Sequence, residues 1–268
     1  MRLLYFALAL VLTLSLSFAP ARPLAQVRES GTLLIGTEGA FPPFNNLLPD
    51  GRIVGFDVEI GQAIANVLGL DSEVVTLSFP EGLLNGLAQG EIDVAIAAFG
   101  YTDERAQVAT YTKSYAVDPV VIVTRSDDAD LAGIESIQDV VDRGGTFGVQ
   151  QGTTFITNLL EPAGVTDFLA FATDPEATAA LIAGQTDAWI TNGSVASNAV
   201  AANPTLQIAS VLGGEALFIL TAKPDLDLAS AVDLALEVLI ADGRYSEISV
   251  ATLGADITDQ VRELRASQ

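Results

Sequence analysis

The sequence predicts an α/β protein of two lobes, in which one α/β unit is inserted within another. Residues 32–99 carry strand and helix patterns in β-α-β-α-β order, which favours a parallel sheet with right-handed crossovers. A second alternating set begins at Ile137. Breaks near Asp118 and near Gly213 indicate that the chain crosses twice between the lobes, and paired crossings form a hinge beside a ligand cleft.

The elements of the first unit follow from its hydrophobic spacing. Residues 32–37 form a short β-rich run, and residues 74–77 form the next strand. The helix between them has apolar residues at i, i+3, i+4, i+7 and i+8 and ends at a glycine; these residues are Ile60, Ala63, Ile64, Val67, Leu68 and Gly69. Residues 83–88 form a short helix, and the apolar run at 94–99 indicates a buried strand.

The second unit repeats this alternation. Its predicted strands are residues 120–124, 146–149, 168–171, 188–191 and 206–211. Helices are predicted around residues 137–141, from the loop 150–154 to residue 160, at 174–183 and at 194–202. The third of these has the clearest start, with Asp174 at N-cap and Pro175 at N1. After the second break, a strand at residues 217–221 and helices at 228–240 and 245–252 follow.

Residues 1–25 are predicted to be a secretory signal peptide. A short basic start, Met1-Arg2, precedes an apolar run at residues 3–18, and Ala19-Pro20-Ala21 supplies a small-x-small cleavage site, with Ala25 as a second candidate. An uncleaved anchor helix is the alternative, and the lack of a second hydrophobic run disfavours it. We therefore expect a soluble product in the periplasm.

The composition excludes several classes of chemistry. The chain has no cysteine and no histidine, which rules out disulfides, thiol chemistry, a Ser-His-Asp triad and His-ligated metal sites. Its formal net charge of −22 repels nucleic acid and anionic lipid, so neither is an expected partner. No cofactor and no metal are predicted.

The stretch from residue 93 to residue 105 organises the rest of the chain. Gly100 ends a buried strand, and Thr102 can cap the helix that follows. Arg105 then lies in the first turn, where a cation faces the positive end of the helix dipole. An anion between Arg105 and the free amides of that turn would make the position favourable. The alternative is a solvated Arg105 that pairs with Asp103 or Glu104.

The loop at residues 38–44 has two prolines, one glycine and two aromatic residues, and it directly follows a predicted strand. Loops at the carboxyl ends of strands bind ligands in open α/β sheets. Phe41 and Phe44 are therefore candidates for stacking on a ligand or for covering a small core, and covering is the favoured role of Phe44.

Five motifs, in order along nearly the whole mature chain, resemble the solute-binding proteins for polar amino acids, family 3 of the bacterial extracellular solute-binding proteins. Proteins of this family are the periplasmic receptors of ATP-driven (ABC) importers. The motifs are GTEGAFPPF (36–44), GFDVEI (55–60) with AIA (63–65), TDER (102–105), QGTT (151–154) and DGRY (242–245). Five matches in sequence are much more specific than any one of them.

The resemblance implies a type II periplasmic-binding-protein fold, in which each lobe is a mainly parallel sheet flanked by helices. Together with the two breaks, it places lobe 1 at residues 26–118 and 216–268 and the inserted lobe 2 at residues 119–215. The implied function is binding of a polar amino acid or a related small zwitterionic carboxylate between closing lobes, without catalysis. The implied partners are the transmembrane subunits of an ABC permease, and a monomer is expected.

The resemblance also implies a clamp for the ligand carboxylate. Arg105 is expected to bind this α-carboxylate bidentately. Backbone groups of Ala98 and Gly100 and the amide of Thr154 are expected to complete the clamp, and Thr153 lies beside it. Thr153 and Thr154 can cap a helix at the same time.

Four further side chains complete the implied site. Phe41 and Phe79 are expected to stack on the ligand, and Glu38 is expected near the ligand side chain. Asn192 falls where the family usually has the aspartate that takes the ligand α-amino group. Asparagine accepts a hydrogen bond but carries no charge.

Two departures from the family pattern bear on the ligand. The chain has Gly100 where a Ser or Thr hydroxyl is usual, so one hydrogen bond to the carboxylate is absent, and it has the neutral Asn192. Recognition of an ammonium group is then weaker unless Glu38, Asp118 or Glu215 supplies the charge. A betaine-like, cyclic or otherwise modified amino acid, or another small carboxylate, is an alternative to an ordinary α-amino acid.

Two other functions remain as alternatives. Some relatives on the same scaffold resemble this chain but are cyclohexadienyl or arogenate dehydratases that use a cleft carboxylate as general acid, a role open to Glu38 or Glu215. The lack of histidine, and of lysine near the predicted cleft, disfavours catalysis. A sensor input domain is the third possibility, but no membrane span or signalling domain follows in this chain.

Overall fold

The computed structural model describes residues 21–268. The predicted signal peptide therefore lies outside the described residues except at positions 21–25, where helix α1 (Leu24–Ser30) already begins. Within the described part, no helix is both long enough and apolar enough to cross a membrane.

Strands and helices alternate along the chain. The strands are β1 (Thr32–Thr37), β2 (Ala40–Phe41), β3 (Asn45–Leu47), β4 (Ile53–Val54), β5 (Asp71–Thr76), β6 (Val94–Phe99), β7 (Ala109–Arg125), β8 (Phe147–Gln150), β9 (Phe168–Phe171), β10 (Ala188–Asn192) and β11 (Leu206–Ala222). Besides α1, the helices are α2 (Phe56–Leu68), α3 (Glu81–Gln89), α4 (Asp103–Val108), α5 (Ile137–Asp142), α6 (Asp174–Ile182), α7 (Gly193–Ala202), α8 (Leu226–Asp242), α9 (Arg244–Leu253) and α10 (Thr258–Ala266), with a π-helical turn at Ile156–Leu160.

An eight-stranded sheet carries the fold, in the order β5-β1-β6-β11-β7-β10-β8-β9. β1 pairs in parallel with β5 and β6, and β8 pairs in parallel with β9 and β10. β7 and β11 run antiparallel to each other and to their outer neighbours. The sheet thus has one parallel group in lobe 1 (β5, β1, β6) and one in lobe 2 (β10, β8, β9). A long antiparallel pair joins them, which confirms the predicted two-lobed α/β fold.

The two crossings are continuous strands. The predicted breaks near Asp118 and Gly213 are wrong as interruptions, because β7 and β11 run through both positions. In this ladder Asp118 is opposite Glu215, and Pro119 is opposite Gly214. Proline and glycine are rare inside strands, which is why the sequence indicates breaks. The register of β11 shifts at several points, one of them between Val211 and Gly213.

Helix α6 begins differently from the prediction. Its N-cap is Thr173, whose Oγ1 accepts the N–H of Glu176 at 3.4 Å, while the Glu176 carboxylate accepts the N–H of Thr173 at 3.3 Å. Asp174 instead points into the core, where it accepts hydrogen bonds from Trp189 Nε1 at 3.1 Å and Thr191 Oγ1 at 2.6 Å. Burial raises the pKa of Asp174 to about 7.

Helix α10 is absent from the sequence prediction because it is short and mostly polar. Its anchor is Arg265, which is 3% exposed. Arg265 donates to the Ser114 carbonyl at 2.9 Å and pairs with Glu237 at 2.9 Å and Asp233 at 3.3 Å. Polar contacts to β7 and α8 therefore fix this helix, and hydrophobic spacing alone does not reveal such contacts.

Aromatic side chains form the centre of lobe 1. The Phe56 ring stacks on Tyr115 with centroids 5.8 Å apart and meets Tyr245 and Phe44 edge-on at 5.9 and 6.1 Å. Phe44 is 1% exposed and belongs to this core, which confirms its predicted covering role. A separate apolar cluster around Phe147 fills lobe 2.

Candidate functional site

A cavity of about 300 Å³ lies between the two parallel strand groups. It opens at the carboxyl ends of β1, β6, β8 and β10, which is where open α/β sheets bind ligands. The structure brings all nine residues predicted from the sequence to this cavity: Glu38, Phe41, Phe79, Ala98, Gly100, Arg105, Thr153, Thr154 and Asn192.

Four further residues line the cavity. The sequence does not predict Ala97, Gln150 and Phe155, and it indicates Glu215 as a possible source of charge for the ligand ammonium or as a possible general acid. Gln150 directly precedes the QGTT motif, and this adjacency is a signal that could have found it. Glu215 lies on a crossing strand far along the sequence from the other site residues, and no local pattern marks it.

Arg105 is buried at one end of the cavity, with 6% of its surface exposed. The predicted cap is present, because Thr102 Oγ1 accepts the N–H of Arg105 at 3.1 Å. The Arg105 guanidinium donates to the carbonyl of Gly100 at 2.8 Å through Nη1 and to the carbonyl of Gly152 through Nη2. A solvated Arg105 paired with Asp103 or Glu104 is therefore wrong. The two carbonyls belong to different lobes, so this guanidinium links the lobes.

Aromatic rings hold the Arg105 guanidinium. Its central carbon is 5.4 Å from the ring centroid of Phe79 and 5.1 Å from that of Phe99, which is within cation–π distance. Burial lowers the pKa of Arg105, while the nearby Tyr111 hydroxyl and Glu215 carboxyl act in the opposite direction. Phe79 thus lines the cavity and also supports the cation.

Glu215 enters the same end of the cavity from β11. Its carboxylate accepts a hydrogen bond from Thr154 Oγ1. Burial raises the pKa of Glu215, and contacts with Thr154 and the Asn192 amide, together with the charge of Arg105, act in the opposite direction. A Cβ at Gly100 would lie 2.2 Å from Glu215 Oε1, so a side chain at this position would displace the carboxylate.

Asn192 lies at the end of β10 and is 1% exposed. Its Nδ2 is buried and makes no hydrogen bond of acceptable geometry to any described residue. The amide nevertheless lies close enough to Glu215 to favour the charged form of that carboxylate. Asn192 therefore presents an unsatisfied donor at the cavity wall.

Glu38 has a different set of neighbours. It accepts a hydrogen bond from Gln150 Nε2 at 2.6 Å, a contact between the lobes. Burial raises the pKa of Glu38 to about 7, with a further contribution from the charge of Asp174, while the Gln150 bond acts in the opposite direction. The cavity thus has Arg105 and Glu215 at one end, and Glu38 supplies a second carboxyl group in another part of its wall.

The loop after β8 supplies the lobe 2 side of the cavity. Thr153 Oγ1 donates to the Gln150 carbonyl at 2.8 Å, and Thr154 begins a helical turn that continues into the π-helical turn at Ile156–Leu160. π-Helical turns are frequent at functional sites.

Ala98 has a strained backbone. Its φ is +47°, which a residue with a Cβ rarely adopts. The N–H of Ala98 donates to Tyr115 Oη at 3.2 Å, and Tyr115 in turn donates to the buried Asp57 carboxylate. Strain of this kind persists where the surroundings hold the residue, and it is concentrated at functional sites.

Comparisons with known proteins agree with this geometry. Residues 33–254 match the family model of the bacterial extracellular solute-binding proteins, family 3. The L-cystine-binding protein TcyJ of Escherichia coli is 30% identical over 259 residues, covering 94% of each chain. The arginine-bound form of truncated ArgBP from T. maritima has a TM-score of 0.73 and 33% identity, covering 81% of this chain and all of that one.

A shorter similarity concerns an enzyme. The cyclohexadienyl dehydratase of Pseudomonas aeruginosa is 32% identical over 145 residues, which is 52% of this chain and 53% of that protein. This match covers about half of each chain, whereas TcyJ and ArgBP match over most of their length.

Proposed function

The chain belongs to the bacterial extracellular solute-binding proteins, family 3, and on this basis we propose that it is the receptor of an ABC-type importer. In this proposal it binds a polar amino acid, or a related small zwitterionic carboxylate, between two closing lobes. It is secreted through a signal peptide that lies within residues 1–25, acts in the periplasm as a monomer, and delivers its ligand to permease subunits. Lobe 1 comprises residues 26–118 and 216–268, and lobe 2 comprises residues 119–215.

The observation that carries this proposal is the buried guanidinium of Arg105. A buried cation is costly unless an anion or several acceptors compensate it. Arg105 bonds to carbonyls of Gly100 in lobe 1 and Gly152 in lobe 2, in the wall of a cavity between the lobes. A ligand carboxylate would add charge-assisted bonds to the same guanidinium and so would stabilise the closed arrangement of the lobes.

The remaining walls suit an amino acid. Phe41 is 5% exposed and packs on Phe44 with ring centroids 5.9 Å apart, so it offers a fixed apolar face. Glu38 and Gln150 supply polar groups at the cavity wall away from Arg105. The similar proteins are described as binding cystine and arginine, which are polar amino acids with a second functional end.

The decisive experiment is isothermal titration calorimetry of the purified protein with the common amino acids, followed by Arg105→Ala with the best ligand. We expect this variant to bind at least about 100-fold more weakly, because two charge-assisted hydrogen bonds are worth about 1.5–3 kcal/mol each. Arg105→Lys keeps the charge but loses the bidentate geometry, and it should also weaken binding.

Arg52→Ala is the matched control for these variants. The Arg52 side chain is 70% exposed and pairs with Asp50 at the surface, so its loss should leave affinity unchanged. Undiminished affinity in both Arg105 variants would refute the assigned role of this residue. The importer role is tested in cells that lack the protein. We expect these cells to lose high-affinity uptake of the amino acid that the protein binds.

The second candidate is a dehydratase of the cyclohexadienyl or arogenate type. The observation that favours it is a carboxyl with a raised pKa in the cavity, that of Glu38 at about 7, which suits a general acid. Incubation with prephenate and arogenate tests this function. Turnover that disappears in Glu38→Gln would favour the enzyme, and no turnover at high protein concentration would favour the receptor.

A further inference from the structure

The cavity contains a carboxylate that the sequence motifs do not predict. Glu215 reaches it from β11, where it is held by Thr154 Oγ1 and lies beside the Arg105 guanidinium. The position depends on Gly100, because a Cβ there would lie 2.2 Å from Glu215 Oε1 and 2.7 Å from Thr154 Cγ2. The absence of a side chain at residue 100 and the presence of Glu215 are therefore two parts of one arrangement.

Asn192 fits the same arrangement. Its amide lies next to Glu215 and favours the charged carboxylate. An aspartate at residue 192 would place a second anion against Glu215, and like charges at such distances repel strongly in a buried site. The neutral Asn192 and the Glu215 carboxyl group thus belong together.

Asp118 already has two donors, whereas Glu38 and Glu215 accept one hydrogen bond each from the described residues. Both oxygens of Asp118 are occupied, since Oδ1 accepts the hydroxyl of Ser194 at 2.8 Å and Oδ2 accepts its N–H at 3.0 Å. Glu38 accepts from Gln150. A carboxylate offers about four acceptor positions, and Glu215 uses one of them for a hydrogen bond to the described residues. Glu215 therefore has free capacity for a cationic group of a ligand.

We propose that Glu215 binds the α-ammonium group of the ligand, and that the site selects an amino acid with a cationic side chain. This inference rests on the proposed receptor function. The ligand carboxylate meets Arg105, its ammonium meets Glu215, and its side-chain cation meets Glu38. The charges support this assignment: when ionised, Glu38 and Glu215 carry two negative charges against one positive charge on Arg105. A ligand of net charge +1 makes the closed cavity neutral, and uncompensated buried charge is costly.

The first test uses calorimetry of the wild-type protein with three probes at pH 8, where Glu38 is ionised. L-arginine has all three charges, 5-guanidinopentanoate lacks only the ammonium, and L-citrulline is a neutral isostere at the side chain. We expect L-arginine to bind at least about 10-fold more tightly than either analogue, as one lost charge-assisted bond is worth about 1.5–3 kcal/mol. Equal affinity for L-arginine and 5-guanidinopentanoate overturns the inference without any variant.

The second test is a double-mutant cycle between residue 215 and the ligand ammonium. Glu215→Gln should bind L-arginine as weakly as wild type binds 5-guanidinopentanoate. Its affinity for 5-guanidinopentanoate itself should equal that of wild type. Asn192→Asp in the Glu215→Gln background returns one carboxylate to the site and should recover affinity for L-arginine. If Glu215 had only a structural role, its replacement would weaken the binding of both probes equally, and Asn192→Asp would not restore the affinity for L-arginine.

Gly100→Ser is the steric counterpart, because its side chain excludes the Glu215 carboxylate from its present position. It should reproduce the loss seen in Glu215→Gln. Unchanged or tighter L-arginine binding by Glu215→Gln overturns the inference, since Glu215 would then compete with the ligand for Arg105. Binding of neutral or acidic amino acids but of no amino acid with a cationic side chain by wild type also overturns it and leaves the receptor function intact. Binding of no amino acid overturns both.

Discussion

Replacing Gly152 by alanine should hold the two lobes apart and weaken ligand binding. Gly152 follows β8 in lobe 2, and a Cβ at this position would lie 2.6 Å from Cδ and 2.7 Å from Cγ of Pro80 in lobe 1. The Gly152 carbonyl also accepts the hydrogen bond from Arg105 Nη2. The added methyl group therefore acts at the contact where closure of the lobes meets the predicted carboxylate clamp.

The size of the effect follows from two contributions. Ordinary contact for a Cβ begins at 3.4 Å, so the lobes must separate locally by roughly 1 Å, which moves the Gly152 carbonyl away from Arg105. Loss of a hydrogen bond from a charged donor costs about 1.5–3 kcal/mol, or about a 10- to 150-fold higher Kd. The φ of +72° at Gly152 adds about 1–2 kcal/mol of strain to alanine. That strain is present in open and closed protein alike, so it lowers Tm and not affinity.

The assay is calorimetry with the best-binding amino acid, together with thermal unfolding. Gly164→Ala is the matched control, because Gly164 has a φ of +77° and nothing lies within 4 Å of the position that the added methyl group would take. Gly164→Ala should lose stability but keep its affinity, whereas Gly152→Ala should lose both. If the two variants bind equally well, the contact between Gly152 and Pro80 does not limit closure and the reasoning fails.

Two further predictions concern stability and processing. Asp174 has a pKa of about 7 in the folded protein, against an ordinary value of 3.8. Its contribution to the free energy of unfolding is therefore fully present below about pH 4 and is lost as the pH rises through 7. At 1.36 kcal/mol per pKa unit, the loss is on the order of 4 kcal/mol at pH 8. Asp174→Asn should therefore flatten the fall in urea stability between pH 5 and pH 8, and an unchanged slope would contradict this. Arg22 pairs with Asp93, whose side chain is 0% exposed, and Ala25 lies inside α1. Mass spectrometry of the secreted protein should find Arg22 as its first residue, and a start at Gln26 would contradict this.

The alternation of strands and helices is predictable from the sequence because local spacing determines it. The apolar run 94–99 is β6, and the periodic residues from Ile60 to Leu68 form the inner face of α2. The continuity of β7 and β11 is not predictable, because Pro119 and Gly214 are tolerated there only through pairing between distant strands. Local spacing carries no information about such partners.

In the candidate site, too, some features are predictable from the sequence and others depend on contacts between distant elements. Arg105, Thr154 and Glu38 lie in or beside recognisable motifs, and the structure brings them to one cavity. The burial of Arg105 between Phe79 and Phe99 depends on packing between elements, so the sequence leaves a solvated Arg105 open. Packing of this kind has no signature in the spacing of a single helix.

The motif at residues 55–60 gains a physical explanation from the structure. Asp57 is buried and accepts hydrogen bonds from Asn45 Nδ2 at 2.8 Å and from Tyr115 Oη. Asn45 Oδ1 in turn accepts the N–H of Gly39 at 2.8 Å, and Tyr115 Oη accepts the N–H of Ala98 at 3.2 Å. One carboxylate therefore holds two chains of hydrogen bonds.

These two chains end at opposite walls of the cavity. Gly39 lies between Glu38 and the strand that carries Phe41, while Ala98 and its positive φ lead into Gly100. Burial raises the pKa of Asp57 to about 6, and the bonds from Tyr115 and Asn45 favour its charged form. A carboxylate that touches no ligand thus fixes the backbone on both sides of the site. The GFDVEI motif therefore acts on the cavity through positioning, since Asp57 itself lies outside the lining.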